Sequence, residues 1–158
     1  MSSLGLAQST WEAIPETDRL AWLAFRKAAV ELIAVLDADL QEHLQIGFTD
    51  FDALVRLLNA PGHTMRMADL ARAVSRSPSA LTRMVGRLES RQLVTRSRRS
   101  PTEVMVTLTA AGHAVLDEAA PRHLALVGQL FWSPLAAGER TQIGSLCQRL
   151  IQARCDTT

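Results

Sequence analysis

The sequence predicts a mostly α-helical chain with one small β-hairpin, and three observations predict it. Apolar residues recur at three- and four-residue steps along most of its length, the spacing of helices buried on one side. Helix-opening and helix-closing residues punctuate that pattern at Gly47, Thr49, Ser77-Pro78 and Thr109. Two short segments, Leu93 to Ser97 and Glu103 to Leu108, read as the paired strands of that hairpin. A length of 158 residues fits about one domain, and 47% hydrophobic residues are enough to fill its core.

Residues 1–15 mix Ser, Gly and Gln with isolated Trp11 and Ile14, which predicts a flexible N-terminal arm with at most a short helical turn. From Glu16 to about Gln45, Leu20, Leu23, Ala24, Val30, Ile33, Ala34, Leu40 and Leu44 mark one long helix. A helix of about 30 residues exceeds the usual globular length and what one small domain can cover, so a partner chain is expected along it. Gly47 is expected to close this helix, and Thr49 to cap the next one, with Asp50 and Asp52 favourable in its first turn. Phe51, Leu54, Val55, Leu57 and Leu58 form the buried stripe of that second helix.

Asn59-Ala60-Pro61-Gly62 then signals a turn, followed by a short strand over Thr64 to Met67 and a helix around Asp69 to Val74. Ser75 to Ser77 joins that helix to another, for which Ser77 is a natural N-cap and Pro78 fits the first position. In this last helix Leu81, Met84, Val85 and Leu88 share the buried side, while Ser79, Thr82, Arg83, Gly86 and Ser90 face out. The strands that follow enclose Arg98-Arg99-Ser100-Pro101-Thr102, a hairpin with a basic tip. Thr109 caps a further helix, which Pro121 is expected to kink or interrupt. Leu124, Val127 and Leu130, then Ile143, Leu146, Leu150 and Ile151, mark two more amphipathic segments separated near Ser133-Pro134. Helix, short turn, helix and hairpin make a winged helix-turn-helix over residues 48–108. Apolar helices flank it at 16–46 and 109–154, which suggests that the two ends pack together and form a dimerisation region.

Charge separates the function classes. The chain has a formal net charge of +1, which by itself argues against a nucleic-acid binder. Between Arg66 and Arg99, however, nine arginines stand against two acids, a local net of +7, while the rest carries eight bases against fourteen acids, a net of −6. A neutral average hides a polarised molecule whose basic part suits a polyanion. Helix-turn-helix geometry places its second helix in the DNA major groove. The competing readings are a solvated charged face and a winged helix that only binds protein; an arginine-only composition favours phosphate and guanine contacts.

No cofactor, metal set or enzyme constellation is expected. His-Glu-x-x-His, a phosphate-cradling Gly-rich loop and a nucleophile elbow are all missing from the sequence, and the four histidines and two cysteines are scattered. Cys147 and Cys155 would lie roughly 12 Å apart along one helix, too far for a disulfide within the chain. Free thiols in a reducing cytoplasm are expected, with a thiol-based redox response as the alternative. No apolar run reaches membrane-spanning length and no leader opens the sequence, so a cytoplasmic protein without membrane contact is expected.

The sequence LARAVSRSPSALTRMVGRLESRQLVTR, with VTLTAAG after the hairpin, resembles the MarR family of bacterial transcriptional regulators. The resemblance covers about residues 20–152. It rests on Leu70-Ala71, Leu81-Thr82-Arg83, Leu88-Glu89, Leu93-Val94 and Leu108-Thr109 with Gly112, in the family's order. It implies a homodimer on a palindromic double-stranded DNA operator, acting as a transcriptional regulator, in the first instance a repressor. Within that frame Ser77, Ser79, Ala80 and Thr82 would touch phosphates or base edges, Arg83 would read a guanine, and Arg87, Arg96, Arg98 and Arg99 would neutralise phosphates. The family also implies release by a small aromatic or phenolic effector, with Trp22, Arg26, His43 and Phe51 as candidate lining residues; core packing is the competing role for Trp22 and Phe51. The chain departs from the family pattern twice. Gln92 stands where many members have glycine, and Ser100-Pro101-Thr102 stands where members commonly carry Asp-x-Arg, so the family's wing ion pair is not implied here.

Overall fold

The structure is a computed structural model that describes residues 10–100 and 103–155, with the backbone alone for Arg154 and Cys155. Residues 1–9 of the expected arm lie outside the described residues. Thr10 to Glu12 form a helical turn, against which Arg19 Nη1 donates to the Trp11 carbonyl at 3.3 Å.

Helix α1, Glu16–Leu44, opens with Glu16 and Asp18 at its positive end. Of its 29 residues only Leu36 and Leu40 are buried, while Leu20, Trp22, Leu23, Phe25, Val30, Ile33 and Val35 stay exposed. Its end differs from expectation. Gln45, not Gly47, takes the left-handed closing position with φ 55, and its N–H bonds Gln41 O at 3.0 Å. Gly47 instead precedes α2, Phe48–Leu58, with φ −78. Thr49, the expected cap, lies inside the first turn, because a neighbouring helix supplies the capping group: Asp37 Oδ1 accepts from Phe48 N at 2.6 Å. A Cβ on Gly47 would stand 3.3 Å from that same oxygen and 3.2 Å from Gln41 Nε2, so glycine serves the close approach here.

Phe51, Ala53, Leu54 and Leu57 of α2 enter the core, and Val55 and Leu58 are half-buried at its edge. A 3₁₀ turn at Pro61–His63 leads into β1, Thr64–Arg66, and then α3, Met67–Ala73. Two helix ends share one device. Ser75 and Gln92 both adopt left-handed φ, 53 and 61. Around them Arg76 N bonds Ala71 O and Ser75 N bonds Arg72 O, as Leu93 N bonds Leu88 O and Gln92 N bonds Glu89 O. These are Schellman closures, the second made without the glycine usual at that place. The first turns the chain from α3 into α4, Pro78–Ser90, and the second from α4 into β2, Val94–Ser100.

The sheet is antiparallel in the order β1-β3-β2, with β3 spanning Glu103–Leu108. Arg98 and Arg99, expected in the hairpin tip, belong to β2, which runs three residues past the predicted end at Ser97. Backbone pairing extends it: Arg98 pairs with Val104 and Ser100 with Glu103, a register shift that leaves Arg99 as the extra residue of a bulge. Pro101 and Thr102 lie outside the described residues.

Thr109 caps α5, Ala110–Val127, by accepting from Gly112 N at 3.0 Å. Pro121 does not interrupt this helix. It deprives only the Asp117 carbonyl of a partner, and both residues are exposed, so water can serve that carbonyl. A π-helical turn at Gly128–Trp132 and a break over 133–136 precede α6, Ala137–Cys155, where the sequence placed the separation. The core is one cluster joining α2, α3, α4, the sheet, the end of α1 and the start of α5. Leu124, Trp132, Leu146, Leu150 and Ile151 remain exposed, like the outer face of α1. Among the described residues no helix is long and apolar enough to cross a membrane.

Candidate nucleic-acid interface

Helix α4 is held by one side and offers the other. Leu81, Met84, Val85 and Leu88 are all under 4% exposed, which fixes the rotation of the helix and turns Ser79, Thr82, Arg83 and Arg87 outward. Its start is organised as predicted. Ser77 Oγ accepts from Ala80 N at 3.3 Å, with Pro78 at the first position. The half-buried Ala80 thus gives its N–H to the cap. Ser79 Oγ lies 3.3 Å from Ser77 Oγ, and Thr82 Oγ1 donates to Pro78 O at 2.9 Å, leaving oxygen lone pairs outward to accept. The first turn also carries the positive end of the helix dipole, which favours an anion there.

The nine arginines counted as one patch divide into two groups. Arg87 Nη2 donates to Asp50 Oδ1 at 3.0 Å, and Arg96 Nε to Glu89 Oε2 at 2.8 Å, so both expected phosphate neutralisers already have carboxylate partners. Side-chain hydrogen bonding from Arg96 holds the Glu89 carboxyl below its ordinary pKa against an opposing desolvation, and the Arg96 backbone N–H and charge add to the lowering. The pair fastens the wing to α4. Arg66 joins Glu103 at 2.6 Å, tying β1 to the start of β3 near the hairpin tip. Arg72 pairs with Asp69. Arg76 Nη2 donates to Thr49 Oγ1 at 2.7 Å, and Arg91 donates to the carbonyls of Gln45 and Leu44 at 2.7 and 2.9 Å. Among the described residues Arg83, Arg98 and Arg99 are exposed and have no carboxylate partner. The unneutralised charge therefore sits on the outer face of α4 and on the wing strand.

The four expected effector residues do not come together within one chain. Trp22 and Arg26 lie on the exposed half of α1, about 32 and 26 Å along the helix axis from His43. His43 Nδ1 bonds the Asp39 carbonyl at 2.9 Å and lines a cleft of ≈ 120 Å³ between α1 and α5. Phe51 is 6% exposed and packs on the His123 ring at 4.6 Å, so it is a core residue. Sequence reasoning missed His123. Burial lowers its pKa below the ordinary imidazole value, opposed by the negative charge of Asp39. Asp39 in turn accepts from Arg122 Nε at 2.6 Å. Cys147 is a half-exposed free thiol, and the Cys155 side chain lies outside the described residues. Among the described residues no three His, Cys, Asp or Glu side chains gather as a metal set.

Comparison with known proteins agrees with this geometry. The MarR family model matches residues 48–101, the segment from α2 into the hairpin. No curated protein sequence matches the chain. Among solved structures, the chain is similar to Sco3205, a MarR family transcriptional regulator from Streptomyces coelicolor in complex with DNA, at 26% identity and TM-score 0.85, covering 89% of each chain. It is also similar to AbsC, a MarR family transcriptional regulator from the same organism, at 28% identity and TM-score 0.85, covering 90% of this chain and 97% of AbsC. The fold is shared further with Bordetella bronchiseptica BpsR, whose DNA binding is regulated by 6-hydroxynicotinic acid, at 22% identity and TM-score 0.71, covering 88% of this chain and 98% of BpsR.

Proposed function

We propose that the chain, whose residues 48–101 match the MarR family model, is a MarR-family transcriptional regulator: a cytoplasmic repressor acting as a homodimer on a palindromic double-stranded operator. The observation that carries this reading is Arg83, exposed in the second turn of α4 with no carboxylate partner among the described residues. It projects from a helix whose rotation the core fixes, and a guanidinium so placed matches the O6/N7 edge of guanine bidentately. Ser77, Ser79 and Thr82 then position the first turn on phosphates or base edges, and Arg98 and Arg99 extend the contact along the backbone from the wing. Arg87 and Arg96 keep spare N–H donors but contribute less charge, because Asp50 and Glu89 offset them.

Two such helices are needed for a palindrome. The exposed apolar residues of α1, α5 and α6 supply the reason for a second copy, since an unpartnered face of that extent is costly in water. Dimerisation over 16–46 and 109–154 places the two recognition helices about one DNA turn, roughly 34 Å, apart. Release by a small aromatic or phenolic effector is the second part of the proposal. Its support is the fold shared with BpsR, a protein regulated by a small hydroxylated aromatic acid. The test has two arms. Sequencing of duplex DNA retained from the source genome by the purified protein should return a two-fold symmetric site, and sedimentation should give two protomers per duplex. A monomer, or retention without any common sequence, would defeat the reading. Aromatic acids are then added to the retained complex, and an operator affinity unchanged by all of them leaves a constitutive binder.

A further inference from the structure

We propose that Arg91 is a positioning residue that locks the recognition helix to the end of α1, and so sets the separation of the two half-sites the dimer accepts. The proposal rests on the dimeric DNA-binding reading above. Arg91 is the residue that ends α4, and its charge counts toward the basic patch in the sequence. Its guanidinium is nevertheless committed elsewhere. Nη1 donates to the Gln45 carbonyl at 2.7 Å and Nη2 to the Leu44 carbonyl at 2.9 Å, two successive oxygens gripped by two nitrogens of one fork. Leu44 is the last residue of α1 and Gln45 the left-handed residue that closes it, at the end where the helix's last C=O groups lack a partner within the helix and the dipole is negative. The basic residue in the last turn, His43, bonds Asp39 O instead. The cation that serves the end of α1 therefore comes from α4, forty-six residues away in sequence.

The neighbouring bonds show why this one is different. Arg76, before α4, reaches Thr49, and Arg87, in its last turn, reaches Asp50. Both partners lie on α2, which is packed in the same core as α4, so those bonds brace the lobe internally. Arg91 alone of the three grips α1, whose outer half carries the exposed apolar face. Between them runs the joint Gln45–Gly47, where Gln45 is held at φ 55. With the fork closed, α4 follows α1 as one body, and the dimer geometry is transmitted to the groove. With it open, the joint can bend and the recognition helices can adopt a range of separations. A lysine would put a single point charge where the planar fork makes two directed bonds, so it would restore the lock only in part.

The test uses the full-length protein as wild type, Arg91→Ala and Arg91→Lys, and a randomised duplex library. Each is selected for bound sequences, and affinity is then measured on duplexes holding the selected half-sites at the wild-type separation and at separations one or two base pairs longer and shorter, across a salt series. For Arg91→Ala the expected result is an affinity about 10-fold lower at the wild-type separation, less than the two charge-assisted hydrogen bonds removed are worth in stability, because an open joint still samples the productive separation. The discrimination between separations should flatten while the log–log salt slope stays at its wild-type value, and Arg91→Lys should fall between. A purely structural role would lower affinity equally at every separation, which would overturn the proposal. A slope reduced by about 0.9 would mean that Arg91 neutralises a phosphate, and would overturn it too. Should Arg91→Ala fail to fold, the Arg91→Lys profile decides by the same criteria. If the wild type itself selects no paired half-sites, it is the dimeric DNA-binding reading that fails; paired half-sites with an unaltered separation profile in the variants refute the lock alone.

Discussion

Replacing Gly112 with alanine sets two effects against each other, and the structure decides their order. Gly112 is buried in the first turn of α5, where Thr109 Oγ1 takes its N–H. On helix propensity alone, alanine should stabilise by about 1 kcal/mol. The added Cβ, however, would collide with the Leu93 carbonyl oxygen and stand 2.5 Å from Leu108 Cδ1. Neither can move cheaply. Leu93 O already accepts from Thr109 N at 3.1 Å and belongs to the residue that closes α4, and Leu93 and Leu108 are 4% and 6% exposed in the core. Overpacking of this kind costs about 1–3 kcal/mol, and a clash with backbone puts it at the upper end, for a net loss of about 2 kcal/mol. Urea denaturation at equal protomer concentration should show a midpoint lower by roughly 1 M, with a melting temperature lower by about 4–8 °C. Gly86→Ala is the matched control, because a Cβ there meets nothing within 4 Å. It should gain up to about 1 kcal/mol. A Gly112→Ala midpoint at or above wild type would refute the packing argument.

Three further outcomes follow from the site. Ser77→Ala removes the oxygen that accepts from Ala80 N and should cost about 1 kcal/mol of stability, read by the same denaturation. The double variant Arg98→Ala/Arg99→Ala should lower the log–log salt slope of duplex binding by about 1.8, roughly 0.9 for each phosphate no longer neutralised, whereas Arg87→Ala should lower it less because Asp50 already offsets its charge. Because burial depresses the His123 pKa, the unfolded chain binds more protons than the folded one between the folded pKa and about 6.5. Stability should therefore fall as pH drops from neutral through that window, and His123→Asn should flatten the acid limb in a pH series of melting temperatures.

Much of the fold was legible because it rests on local patterns. The 3.6-residue spacing of Leu81, Met84, Val85 and Leu88 gave the rotation of α4, Ser77-Pro78 gave its start, and Thr109 gave the start of α5, since each signal acts within one turn of chain. What escaped depends on groups distant in sequence. Asp37 caps α2 from another helix, so the capping role that local sequence suggests for Thr49 is filled from a distance. Pro121 sits inside α5 without interrupting it, because the Asp117 carbonyl it leaves unpaired is exposed to water. Arg98 and Arg99 lie in a strand extended by pairing with β3, which no alternation in β2 announces. The same limit applies to the site. A charge count sees nine arginines, but only the fold shows that Asp50, Glu89, Glu103, Asp69, Thr49 and the end of α1 engage six of them, while Arg83, Arg98 and Arg99 have no carboxylate partner among the described residues. Gln92 shows the converse: the sequence marked it as an awkward substitute for glycine, and it adopts the left-handed conformation all the same.

That α4 reads base sequence is tested most directly by comparing the base preferences of wild type and Arg83→Ala on one set of duplexes varied singly across the half-site. Arg83 as a guanine reader predicts a loss of about 1–3 kcal/mol of discrimination at one position per half-site, with preferences elsewhere retained. Weakening that is uniform over all sequences, or preferences unchanged at every position, would contradict it.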